Sequence, residues 1–230
     1  MGLSLEVGIL ADLRENDEEG YEHCRNQFEA LNSYLQQVQL PTHLEPEEGE
    51  VWSTDMYGYS GLHYLRRIAA HLDSTGKLPP PGQDNSSEDP VLKGYYEVDA
   101  SANSSFISRL FKKQAKPKRT FDHLILHSDA EGYYLPLNFP DVLFPTESLE
   151  IAGGMVGSSY GLLDECKRIA AILEIPSELD ETSDELWQAA ETQGEGDLKW
   201  KRYAIESFSC VCLIKGCRKS IETKAALVFC

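Results

Sequence analysis

The residues best equipped for chemistry lie between His123 and Tyr134, which read H-L-I-L-H-S-D-A-E-G-Y-Y. An apolar run there ends in a turn that gathers His127, Ser128, Asp129 and Glu131, closed by Gly132. Polar groups at a strand end can converge on a ligand, and loops on a rigid scaffold are where function tends to sit. His127, Ser128 and Asp129 have the residue types of a hydrolytic triad, but a triad draws its members from separate elements. His123 and His127 on one strand face would stand about 13 Å apart at ~3.3 Å per residue, too far to share a metal. Asp129 and Glu131 could hold a divalent cation together with backbone carbonyls. The competing structural role is a turn in which Asp129 bonds backbone amides and Gly132 takes a positive φ.

A second candidate is the run Gly153-Gly154-Met155-Val156-Gly157-Ser158-Ser159, which opens a helix. The free N–H groups of a helix start bind anions, so Gly154, Gly157 and Ser158 are candidate ligand-binding residues. The run lacks the lysine of a P-loop and the spacing of a dinucleotide fingerprint. A third stretch places Asp180, Thr182, Asp184 and Glu191 at positions 1, 3, 5 and 12 of a calcium loop. Glu185 stands there where the sharp turn needs glycine, and Thr182-x-x-Glu185 reads better as a capping box. His63, Arg67 and His71 follow one another at i, i+4 and i+8, a row that suits either an anion or a solvated helix face. The six cysteines, Cys24, Cys166, Cys210, Cys212, Cys217 and Cys230, contain no C-x-x-C pair. They read as buried, reduced thiols. No complete catalytic or cofactor motif is present, and no cofactor is expected unless Asp129 and Glu131 take a divalent cation.

The elements that must position these groups follow from periodicity. Leu3, Leu5, Val7 and Ile9 alternate with Ser4, Glu6 and Gly8, the pattern of a half-buried strand. Asp17, Glu18 and Glu19 open a helix to about Gln39, with Tyr21, Cys24, Phe28, Leu31 and Leu35 on its apolar stripe. Val51 and Trp52 suggest a second strand. Ser60 is expected to cap a helix through Asp73 that buries Leu62, Leu65, Ile68, Ala69 and Leu72 and turns Arg66 to the opposite side. Pro90 begins a short helix to Val98. Residues 99–120 shift composition and read as a mobile basic connection. Residues 121–127 and 133–137 read as two strands of a hairpin. Ser158 or Ser159 caps a helix to about Leu173. A helix over 201–220 leads into a strand over 225–229. Strands and helices without regular alternation predict a single α+β domain over 1–230, with a mixed or antiparallel sheet and several packed helices.

Charge is the strongest compositional signal. The chain carries 38 acids against 21 bases, for a net charge of −17. Residues 1–100 hold 19 acids and six bases, while 101–120 hold six bases and no acid. A field of this sign repels nucleic acid and anionic membrane and suits a basic partner protein. The expectation is therefore a basic protein partner, no nucleic acid and no membrane. The N-terminus has no basic region or apolar run of signal length, and no segment approaches the ~20 apolar residues of a membrane span, so a cytoplasmic location is expected.

Met1-Gly2-Leu3, His127-Ser128-Asp129-x-Glu131-Gly132, Gly157-Ser158-Ser159 before a leucine-rich helix, and Cys217-Arg218 before an apolar strand together resemble a group of uncharacterised bacterial proteins. The resemblance implies a bacterial origin and carries no activity over. The sequence thus reads as an acidic cytoplasmic protein that binds a basic partner, as a toxin-neutralising immunity protein would. The alternative is a hydrolase-like or metal-binding protein using the His127–Glu131 turn.

Overall fold

The computed structural model describes residues 3–82, 85–103, 119–192 and 196–230. The alternation at the start of the chain yields β1 (Ser4–Val7), with Leu5 and Val7 buried. Gly8 then turns the chain at φ 92°, and α1 (Ile9–Asn16) follows at once. Asp17 caps α2 (Glu18–Gln37) by accepting a hydrogen bond from the Gly20 amide. The next elements are β2 (Trp52–Asp55), α3 (Gly58–Thr75) and α4 (Pro90–Asn103). Then come α5 (Asp122–Ile125), β3 (Tyr133–Leu135), β4 (Val156–Ser158) and α6 (Ser159–Leu173). The chain closes with α7 (Asp184–Glu191), α8 (Lys199–Arg202), α9 (Ala204–Thr223) and β5 (Leu227–Phe229).

The five strands form one mixed sheet in the order β2-β1-β5-β3-β4, in which only β3 and β4 run parallel. Side chains alternate across it. Leu5, Val7, Tyr134, Leu227 and Phe229 face the larger core, built with α3, α6 and α9. Tyr133, Leu135, Val156 and Val228 face a second core with Phe28, Leu31 and Leu35 of α2. The sheet is therefore sandwiched between helices, and the fold is α+β as expected. Between Ser207 and Ile214 helix α9 is apolar or small all round because it is buried against α6, α3 and the sheet together.

Several local expectations are corrected. Residues 121–127 do not form a hairpin strand: they hold the short helix α5, and β3 pairs with β5 and β4 instead. A short apolar run does not distinguish a strand from a buried helical turn. Here Glu165 decides, because its carboxylate accepts from the His123 and Leu124 amides, which a helix start leaves without partners. Ser60 does not cap α3. Tyr57 precedes the helix, and the Ser60 hydroxyl donates to the Tyr57 carbonyl. Helix α4 runs on to Asn103, so the first residues of the basic 99–120 stretch are helical; residues 104–118 lie outside the described ones.

Arg66 is the largest departure. The amphipathic pattern placed it opposite the apolar stripe, yet it is 2% exposed. Its Nε donates to the Leu124 carbonyl at 2.8 Å, and its Nη2 to the carbonyls of His127 at 2.6 Å and Ser128 at 3.0 Å. A guanidinium fork satisfies several main-chain acceptors at once, which makes its burial tolerable.

Candidate functional site

The His127 turn is closed largely by its own bonds. His127 is buried, with Nδ1 3.1 Å from the Ser128 carbonyl and Nε2 3.1 Å from the Tyr133 carbonyl. Its ring stacks on Tyr134 at 3.9 Å between centroids. Burial pulls its pKa down to about 4 against these carbonyls, and Arg66 adds to the depression. The Ser128 hydroxyl accepts from the Ala130 amide. Asp129 pairs with His63 at 3.0 Å, while Glu131 is exposed. Burial and Arg66 hold His63 below its ordinary pKa despite that carboxylate. Gly132 takes the expected positive φ, at 112°. An imidazole buried with both nitrogens turned to main-chain carbonyls has no access to a substrate, and Asp129 is directed to His63 instead of to His127. Among the described residues, no three His, Cys, Asp or Glu side chains cluster closely enough to hold a metal ion.

The glycine-rich run packs directly on this turn. A Cβ at Gly153 would meet the Glu131 carbonyl oxygen at 2.6 Å. Gly157 lies against Tyr134, where a Cβ would come within 2.3 Å of the ring, whereas Gly154 (φ 62°) has nothing within 4 Å. Ser158 caps α6: its hydroxyl accepts from the Gly161 amide and donates to the Leu137 carbonyl at 2.6 Å. Its own amide donates to His123 Nδ1. Ser158 is fully buried, so this helix start does not face solvent.

The other candidates resolve into local bonding. Asp180 collects hydrogen bonds from the Thr182 amide and from the Thr182 and Ser183 hydroxyls, and Ser183 stands at the N-cap of α7, so the expected capping box does not form. Arg67 and His71 both reach Asp89, which also caps α4 through the Val91 and Leu92 amides. Five of the six cysteines are buried free thiols, and Cys230 is the exposed one.

What remains at the surface is charge. Between residues 6 and 50 the chain holds twelve acids against two bases, Arg14 and Arg25. Only Glu45 among those acids is buried. Helix α2 explains why they are tolerated together. Asp17, Glu18 and Glu19 sit at its N-terminus, where the helix dipole favours negative charge. Glu18, Glu22 and Glu29 then share one stripe at i, i+4 and i+11, opposite the buried Phe28, Leu31 and Leu35. The loop over 45–50 lies alongside. Arg14 Nη1 is 2.9 Å from Glu48 and 3.8 Å from Glu47, and Lys219 holds Glu50 at 2.7 Å. Between loop and α1 runs a groove of about 490 Å³ lined by Asp12, Arg14, Glu15, Glu47, Glu48 and Val51 among others. The second acidic stretch, over 174–197, is partly neutralised by Lys199 on Glu174, Lys201 on Glu185 and Lys215 on Glu181.

Not every acid contributes to this field. Burial pushes Glu165 up to about 8 and Glu206 up to about 7, and it raises Glu45 as well, against the pull of its His43 partner. The outward charge is therefore gathered in two places, on α1, α2 and the 45–50 loop and again along the 174–197 stretch. The sequence reading registered the imbalance of the first hundred residues without placing it on one face. Asp17-Glu18-Glu19 beside an apolar helical stripe was the signal that located half of it.

An acidic binding protein is the class this fold and face define. Over residues 1–229 the chain matches the family described as "Putative DNA-mimic protein", and it belongs to that family. Comparison with curated proteins and with solved structures gives no match. Among the described residues, no helix is long and apolar enough to cross a membrane. The family corrects one expectation. Nucleic acid was set aside because an acidic field repels it, yet the family's description brings DNA in as the thing imitated. Like charges repel each other and, for the same reason, attract the same basic partner.

Proposed function

We propose that this protein acts as a stand-in for DNA, with the face formed by α1, α2 and the 45–50 loop occupying the DNA site of a basic protein. One observation carries the reading: eleven solvent-reaching acids and two bases are gathered in residues 6–50 on adjoining elements. The spacing supports it. Each DNA strand carries one charge per ~3.4 Å of axis. Glu18, Glu19, Glu22 and Glu29 span eleven helical steps, or about 17 Å at ~1.5 Å per residue, a mean separation of ~5.5 Å between successive carboxylates, wider than one DNA strand but of the same order. Arg25 offsets part of this through its ion pair with Glu22. The acids of the neighbouring loop supply further charge beside that row. Toxin neutralisation is the narrower form of the reading, in which the partner's DNA site is also the active site of a toxin.

The test uses proteins defined by their affinity for DNA. The protein is immobilised and loaded with the fraction of a cell extract that DNA-cellulose retains, then washed with duplex DNA. Basic proteins should be retained at low salt and displaced by the duplex. A variant with Glu15, Glu18, Glu19 and Glu22 all changed to Gln should retain far less, and retention should fall steeply with salt. Retention of nothing, or of proteins that duplex DNA does not displace, overturns the proposal.

A further inference from the structure

Charge alone attracts any basic protein, so a second feature is needed to select one. Among the described residues, six large hydrophobic side chains are markedly exposed, and three of them, Val38, Leu44 and Val51, fall within fourteen residues beside the acidic loop. Leu44 is the extreme case at 89% exposed. Trp187, by comparison, leans on Phe208 at 5.2 Å and so supports the core.

Leu44 is held out by its neighbours. His43 and Glu45, on either side, are each 4% exposed and meet at 2.6 Å beneath it. Glu45 also accepts from the Ala226 amide next to β5 at 2.7 Å. The main chain of His43 exchanges two 2.7 Å hydrogen bonds with the Asn32 side chain of α2. Pro41 and Pro46 bracket the segment and fix its φ angles. A leucine in water on a pinned loop adds nothing to the core, but it enters a partner's pocket without the entropic cost of ordering the loop. Glu47, Glu48 and Glu50 follow directly, all exposed. An apolar centre with a charged rim is the usual anatomy of an interface. Duplex DNA offers a related combination, a thymine methyl in a groove walled by phosphates.

We infer that Leu44 is the apolar anchor of the acidic face, entering a hydrophobic pocket set within the basic surface of the partner protein. This deepens the DNA-mimic reading and rests on it. Two probes separate the terms: poly-L-lysine, which offers charge alone, and an amphipathic helical peptide of leucine and lysine with matched charge. Leu44→Ser, checked for an unchanged melting temperature, should weaken binding of the leucine–lysine peptide about tenfold and leave poly-L-lysine binding unchanged. The salt dependence of both should stay as in the wild type. Equal affinity of Leu44→Ser and wild type for both probes overturns the anchor while leaving the acidic face intact, and so does an equal loss for both. Failure of poly-L-lysine to bind the wild-type protein overturns the reading beneath it.

Discussion

Replacing Arg66 with Met tests the claim that a buried guanidinium, and not a ligand, organises the turn at His127. Three main-chain carbonyls, those of Leu124, His127 and Ser128, lie 2.8, 2.6 and 3.0 Å from its nitrogens. Methionine fills much of the volume and donates nothing. Each buried acceptor left bare costs about 1–3 kcal/mol. Relief from burying a cation offsets part of the sum, and breaking a buried charged network of this kind typically costs about 3–5 kcal/mol. That is a large share of the ~5–15 kcal/mol that holds a domain together. With a urea m-value near ~3 kcal/mol/M, the unfolding midpoint should fall by about 1–1.7 M. Arg66→Lys keeps the charge but loses the fork, and should lie between the two. Equilibrium urea unfolding followed by circular dichroism reads both variants. A loss below about 1 kcal/mol for Arg66→Met, at unchanged m, would refute the reasoning, since it would mean that the carbonyls find other partners.

Two further outcomes follow from packing and from protonation. Gly157→Ala should destabilise by about 2–3 kcal/mol, because the new Cβ falls 2.3 Å from a Tyr134 ring that is stacked on His127 and hydrogen-bonded to the His123 carbonyl. Gly154→Ala, with open space at φ 62°, should cost only about 1 kcal/mol, so thermal melts that rank the two alike would contradict the packing described. Burial raises the Asp89 carboxyl, but hydrogen bonds from Arg67, His71 and the Val91 and Leu92 amides outweigh it and hold the pKa down at about 2, below the ordinary 3.8. The native state therefore binds this proton less readily than the unfolded chain, so the stabilisation is full above pH 3.8 and is lost as pH falls through 2. The stability gap between wild type and Asp89→Asn should accordingly close between pH 4 and pH 2 in urea titrations, and a constant gap would remove Asp89 from the account.

The sequence was legible where one residue's neighbours in the chain are also its neighbours in space. Leu5 and Val7 announce β1, and Cys24, Phe28, Leu31 and Leu35 announce α2, because a single burying face repeats along each. Residues 121–127 failed that test. Their helical start depends on Glu165, some forty residues away, accepting two amides. Arg66 failed for another reason: it stands four residues from both Leu62 and Ala70, which are buried, but its charge argued for solvent, and only the distant carbonyls of α5 and the following turn explain its burial. The acidic face was legible as an excess of charge but not as a surface. Nothing in the sequence says that Glu165 and Glu206 turn inward while Glu15, Glu18 and Glu19 stay out. Leu44 was invisible as an anchor for the same reason, since its prominence is set by the burial of His43 and Glu45 on either side.

The position of β5 has a consequence for how the chain is made. This strand pairs with β1 on one side and β3 on the other, so it alone joins the β2-β1 half of the sheet to the β3-β4 half. Of these five strands it is also the last to leave a ribosome. Until residues 227–229 emerge, the two half-sheets share no backbone link, and each presents an open edge. Glu45, whose carboxylate needs the Ala226 amide, must wait as well, and with it the loop that carries Leu44 and the flanking glutamates. The acidic face over residues 6–50 is thus locked by a segment made well after it. Such long-range closure folds slowly and leaves strand edges exposed meanwhile. A nascent chain stalled before Ala226 would carry most of the charge without the fixed surface that arranges it.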